Sequence, residues 1–147
     1  MRFESTVVIK DDPEIIFAFI TNPRIRKHWY KTLQDSTFEY DNLMLGNSAS
    51  VFFEETLNEN NELKKYTAEL IKFEPEENFC FRYLSNKYTI NFDYWLTKTL
   101  TGTEVKLNTS VAYKSVFDEL LTKLKLLGFR KQLTTHLMEL KQFCESN

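Results

Sequence analysis

The sequence predicts an α+β fold: a seven-stranded curved antiparallel sheet with two short helices after the first strand and a long C-terminal helix. Three observations lead there. Between about residues 35 and 113 apolar and polar residues alternate with a period near two, in segments divided by turn-forming clusters. On either side, residues 13–31 and 115–145 space their apolar positions as helices do. The chain of 147 residues is one domain's worth, so residues 1–147 are expected to fold around a single core.

Residues 3–10 open the chain with a segment rich in β-branched side chains, which reads as a strand. Asp11-Asp12-Pro13-Glu14 then marks a helix start, with an acidic cap, a proline in the first turn and Glu14 placed to reach back. Ile15, Ile16, Phe19 and Ile20 recur at helical spacing. Asn22-Pro23 ends that helix and caps a second over about residues 23–31, whose Ile25 and Trp29 share a face.

A short strand is expected at residues 37–40, followed by strands over 51–53, 66–73, 79–84, 88–96 and 105–113. Residues 58–61, 74–78, 85–87 and 101–102 separate them as turns. Such short connectors make an antiparallel meander, and the scarcity of glycine assigns left-handed turn positions to asparagine. In the last strand Val105, Leu107, Val111 and Tyr113 share one face; before it, Ile90, Phe92, Tyr94 and Leu96 do so, with Trp95 on the polar side. The strand over 79–84 is apolar on both faces, which leaves its phase open. Ser115 and Asp118 resemble a capping box for the final helical stretch. Its two apolar groups, Phe117-Leu120-Leu121-Leu124 and Leu133-Leu137-Leu140-Cys144, lie on opposite sides, so a break is expected near Gly128.

Composition excludes several functions. Hydrophobic residues are 42% and charged residues 27%, a folding composition, and the net charge of -2 gives no global pull toward nucleic acid or anionic lipid. The longest apolar run is six residues, far below the ~20 a spanning helix needs, so stable membrane insertion is not expected. The acidic start of the chain lacks a secretory pattern, which points to a cytoplasmic protein with Cys80 and Cys144 as buried free thiols. His28 and His136 stand apart from any ligand-spaced partner, so neither metal nor cofactor is expected. Three glycines, Gly46, Gly102 and Gly128, rule out glycine-rich nucleotide loops and the nucleophile elbow.

One helix about 10 Å wide cannot fill the hollow of a curled sheet. The remaining space is either packed by large side chains or left as a cavity, and Phe17, Phe52, Phe53, Tyr66, Phe81, Tyr83, Phe92, Tyr94 and Tyr113 suit both outcomes.

The order of elements resembles the START/SRPBCC superfamily, the helix-grip fold of the birch-pollen allergen, and within it the polyketide cyclase/dehydrase and lipid-transport group. The most specific match is Pro13-Glu14-Ile15-Ile16-Phe17-Ala18-Phe19-Ile20-Thr21 followed by Trp29; Gly46, Pro75 and Leu133-x3-Leu137-x2-Leu140-Lys141 add to it. The resemblance implies binding, and with it transport, of a hydrophobic small molecule or lipid between sheet and C-terminal helix. The alternative it implies is a cyclase or dehydratase in the same cavity. Asn47-Ser48-Ala49-Ser50 departs from the branch that activates a heat-shock chaperone, and the iron ligands of the oxygenase branch are missing.

The expected ligand-binding residues are Phe17, Trp29, Phe53, Tyr66, Phe81, Tyr83, Phe92, Tyr94, Tyr113, Leu133 and Leu137. Trp29 also reads as a packing anchor. Arg82, Tyr94 and Glu69 are the catalytic candidates, with Asp93 weaker because it falls on the solvent face. An inward guanidinium at Arg82 would hold a carboxylate or enolate; an outward one would pair with a glutamate. Arg24, Arg26, Lys27, His28 and Lys31 read as a solvated helix face, or as a patch recruiting an acidic headgroup. The glutamates, Glu54 and Glu55 among them, read as surface charge, and His136 as a surface histidine.

Overall fold

The computed structural model describes residues 2–39, 51–116 and 129–146. Its elements run β1 (Arg2–Ile9), α1 (Pro13–Thr21), α2 (Pro23–Trp29), β2 (Leu33–Ser36), β3 (Phe52–Glu59), β4 (Glu62–Glu74), β5 (Asn78–Leu84), β6 (Tyr88–Lys98), β7 (Thr103–Tyr113) and α3 (Phe129–Ser146). The seven strands form one curved antiparallel sheet in the order β1-β7-β6-β5-β4-β3-β2. The strands from β2 to β7 are thus a meander, and β1 returns to pair with the last of them. The α+β expectation holds.

Asn22 makes the corner between the first two helices. Its N–H donates to the Ala18 carbonyl at 2.9 Å, ending α1, and its side chain accepts from the Arg24 N–H at 3.0 Å, starting α2. The acidic start of α1 works differently from expectation. Asp12 makes no side-chain cap; instead the Asp11 carboxylate accepts the Asp12 N–H at 2.9 Å. The second strand lies at Leu33–Ser36, four residues ahead of the expected 37–40, because its backbone pairs with β3 as soon as the turn after α2 ends. Tyr40, Gly46 with residues 47–50, the Asp118 cap and the break at Gly128 lie outside the described residues.

Asparagine takes the left-handed positions of the β3–β4 hairpin, with φ of 52° at Asn60 and 66° at Asn61. At the next turn that position falls to Glu76, φ 68°. Pro75 presets the first corner, the Glu77 N–H closes on the Glu74 carbonyl at 3.0 Å, and this turn type demands positive φ after the proline.

The sheet has two distinct faces, and pairing settles the phase of β5. Phe79, Phe81 and Tyr83 face inward with Tyr94 and Leu96, while Cys80 and Arg82 face outward opposite Asp93 and Asn91. Over the inner side Phe17, Phe38, Phe53, Phe73, Phe79 and Phe81 pack ring to ring, with neighbouring centroids 5.0 to 6.5 Å apart. Leu133, Leu137, Leu140 and Cys144 form the buried stripe of α3, as their spacing indicates. That helix lies along β1: Lys141 Nζ donates to the Val8 carbonyl at 2.5 Å, and Glu145 accepts the Lys10 N–H at 3.0 Å.

Candidate functional site: a buried polar cluster on the inner face

In α2, Arg26 and Trp29 are spaced i, i+3 on one side of the helix, and Tyr30 follows as its C-cap. In β3, strict alternation aims Phe53, Glu55 and Leu57 inward together. The two elements therefore deliver a guanidinium and a carboxylate into the same apolar interior. Arg26 is 4% exposed and Glu55 0%, and Arg26 Nη1 stands 2.5 Å from Glu55 Oε2. The Tyr83 hydroxyl, carried in by β5, donates to the other oxygen, Glu55 Oε1. The guanidinium carbon lies 5.5 Å from the Tyr30 ring centroid and 5.4 Å from that of Phe81. Its Nε, also buried, has no hydrogen-bond partner among the described residues.

A second pair adjoins the first. The Tyr94 hydroxyl from β6 and His136 Nε2 from α3 share a hydrogen bond at 2.7 Å. The imidazole is 4.9 Å from the Trp29 ring and 4.5 Å from that of Tyr30, edge-on to the latter. Trp29 is fixed in turn by its indole N–H, which donates to the Phe19 carbonyl at 2.9 Å. Helices α2 and α3 thus meet the sheet through one set of polar contacts.

Burial governs the protonation of this cluster. It pushes the His136 imidazole down to about 3, with the Arg26 charge acting the same way, so the ring is neutral at ordinary pH. Burial also raises the Tyr30 phenol to about 12, against the opposing pull of Arg26. Tyr83 is pushed well above its usual range by burial and then by Glu55, and Tyr94 is pushed up by burial. Burial works against the charge on Arg26, but Glu55 and the surrounding phenols outweigh it and hold the guanidinium firmly protonated. The result is one cation, one carboxylate, neutral phenols and a neutral imidazole within an aromatic wall.

The expected ligand-binding residues fall on this inner side. Phe17, Trp29, Phe53, Phe81, Tyr83 and Tyr94 are buried, as are Leu133 and Leu137 on α3. Tyr66, Phe92 and Tyr113 are partly buried. Tyr66 stacks on Tyr83 with centroids 5.0 Å apart and donates to Glu59 Oε1 at 3.0 Å. Phe52 differs: it points outward and is 57% exposed, because strand alternation allows only one of Phe52 and Phe53 inside.

Of the catalytic candidates, only Tyr94 is inside. Arg82, Glu69 and Asp93 occupy the outer face, each partly exposed. Arg82 stands across from Glu69 in register and donates from Nε to Asn91 Oδ1 at 2.7 Å. Asp93 accepts from Asn78 Nδ2 at 2.6 Å and from the Trp95 indole at 2.8 Å. A groove of about 460 Å³ on this side is lined by polar residues such as Asn91, Asp93 and Asn108 together with Phe3 and Cys80.

Three surface assignments are corrected. Arg26 leaves the solvated basic face of α2, Glu55 leaves the surface carboxylates, and His136 is buried, since each sits in phase with core residues: Arg26 with Trp29, Glu55 with Phe53 and Leu57, His136 with Leu133, Leu137 and Leu140. That phase was the available signal. Cys80 and Cys144 are free and buried, and burial pushes both thiols up to about 12. Among the described residues no group of three His, Cys, Asp or Glu could hold a metal ion, and no helix is long and apolar enough to cross a membrane.

No family model and no curated protein matches the sequence. Solved structures do. The protein MLL2253 from Mesorhizobium loti superposes with a TM-score of 0.74 at 14% identity, covering 100% of this chain and 98% of its own. Ara h 8.0201 superposes at 0.68 with 13% identity, over 100% and 99% of the two chains. The di-domain ARO/CYC StfQ from the steffimycin biosynthetic pathway superposes at 0.72 with 11% identity, over 99% of this chain and 50% of its own. The chain has the helix-grip fold. In helix-grip terms α3 is the gripping helix, and the Arg26–Glu55–Tyr83 and Tyr94–His136 contacts lie between it, α2 and the sheet.

Proposed function

We propose that this protein binds a hydrophobic small molecule or lipid between the sheet and the C-terminal helix, and carries it in the cytoplasm. The observation that carries the reading is the buried Arg26–Glu55–Tyr83 cluster within an aromatic wall. Two charges taken out of water gain little stability over an apolar packing of the same volume. Their presence therefore fits a task, namely orienting the polar end of a mostly apolar molecule. The wall of Phe81, Tyr83, Tyr94, Trp29, Leu133 and Leu137 supplies the apolar contact, and the helix-grip fold supports the reading. The partner is then a small molecule; neither nucleic acid nor stable membrane insertion belongs to it.

Native mass spectrometry of the purified full chain tests this. A lipid-like adduct, co-purified or taken up from a neutral lipid extract, is expected. A chain that stays bare in both preparations would contradict the reading.

A second reading, a cyclase or dehydratase working in the same interior, has one observation in its favour. The Tyr94–His136 pair sets a neutral imidazole in a hydrogen bond with a phenol in a dry environment. The version that depends on Arg82, Glu69 or Asp93 is dropped, since all three lie outside. Turnover of a poly-β-ketone thioester, lost in Tyr94→Phe and kept in Arg82→Met, is the outcome that would favour catalysis over carriage.

A further inference from the structure

The charge balance of the inner cluster, taken with the binding reading on which this inference rests, narrows the class of molecule. Arg26 and Glu55 neutralise each other at 2.5 Å. Tyr83 spends its proton on Glu55, and Tyr94 shares one with His136. The polar atom left over is Arg26 Nε, buried and without a partner among the described residues. An Arg Nε–H can donate a hydrogen bond and cannot accept one. A partner must therefore bring an acceptor.

That acceptor meets a cluster whose formal charges already sum to zero, surrounded by the rings of Tyr30, Phe81 and Trp29. A carboxylate entering there would leave one uncompensated negative charge beside Glu55 in a medium that solvates it poorly. A carbonyl would satisfy the Nε–H at no such cost. We infer that the bound molecule ends in an uncharged acceptor, a ketone, aldehyde or quinone carbonyl, received by Arg26 Nε–H, and that fatty acids and similar anions are disfavoured. The Arg26–Glu55 pair is then a selectivity device as well as an anchor, because Glu55 cancels the charge that would otherwise attract acids.

Displacement of the neutral fluorophore N-phenyl-1-naphthylamine from the full chain at neutral pH tests this with three competitors of equal length: a long-chain methyl ketone, the fatty acid and the alkane. The ketone is expected to displace the fluorophore at a concentration at least about tenfold below the acid, a ratio equivalent to one decade in Kd. Glu55→Gln keeps the side chain's shape and one acceptor oxygen but removes the cancelling charge, so the preference should swing toward the acid. Unchanged circular dichroism and melting cooperativity would show that the variant folds. An acid that binds the wild-type chain as well as the ketone does, or better, overturns the inference while leaving the binding reading intact. Failure of the chain to bind the fluorophore or any competitor overturns the binding reading, and the inference with it.

Discussion

Strands β5 and β6 carry two different chemistries on opposite faces of the same backbone. Inside, Tyr83 and Tyr94 hold their hydroxyls against Glu55 and His136 in a region shut off from water. Outside, Arg82 and Asp93 contact Asn91 and Trp95 at 2.7 and 2.8 Å, close to the 2.7 Å of Tyr94–His136, but they are partly exposed to solvent. Distance alone does not separate the two sets. Burial does: a polar group that has lost its water is held to its partner by the cost of desolvation, while one at the surface exchanges partner for solvent at little cost. The inner groups are therefore where a small chemical change has large consequences.

The largest effect that would sharpen this contrast is at Glu55. Glu55→Ala strands the Arg26 charge and the Tyr83 hydroxyl, and should lower unfolding stability by about 3–5 kcal/mol in a urea titration. A loss under 1 kcal/mol (about the value of an exposed pair) would break the comparison.

The acid limb comes next. His136 stays neutral in the folded chain down to about 3, whereas the unfolded chain protonates it near its ordinary value of about 6.5. The unfolded state thus binds more protons across that window, so this contribution is full above it and is lost as pH falls through it. Its slope should approach ~1.4 kcal/mol per pH unit in mid-window. Urea midpoints at a series of pH values check this, and His136→Gln should flatten that slope. At the other end, Tyr30 is raised to about 12, so its contribution is present below its ordinary value of about 10 and is lost as pH rises between the two.

Asn78 is an intermediate case. It is fully buried at the start of β5 and donates to Asp93 Oδ1 at 2.6 Å and to the Tyr94 carbonyl at 2.9 Å. Asn78→Ala should cost about 1–3 kcal/mol, read from the thermal midpoint. The smallest effect is expected at Arg82, where replacement by Ala should change stability by no more than ~0.5 kcal/mol, since its partner Asn91 can turn to water.

The fold was legible because it is written in period and punctuation. Alternation placed β6 and β7 on the correct faces, Asn22-Pro23 marked the corner between α1 and α2, and Asn60-Asn61 marked a hairpin. The site was legible only in its apolar part. Trp29 and Tyr94 could be found because aromatic residues in phase with a core are expected inside. Arg26, Glu55 and His136 read as surface residues by their chemistry, although each stands in phase with buried neighbours. Charged side chains usually leave the core, and the exception needs a partner across the fold. That partner is 29 residues away for Arg26 and Glu55 and 42 for Tyr94 and His136, so no local pattern announces it. The phase of β5 was open for a related reason, since both of its faces carry bulky residues and only pairing with β4 and β6 decides between them.

The most direct test of the central claim, that the ligand's polar end is met inside at Arg26 and not outside at Arg82, is an NMR titration on isotope-labelled arginine. On addition of the long-chain methyl ketone, the Arg26 Nε–H resonance should move as it gains an acceptor, and the Arg82 Nε–H, already bonded to Asn91, should stay in place. A saturating titration that leaves Arg26 unmoved, or that moves Arg82 instead, would contradict the account.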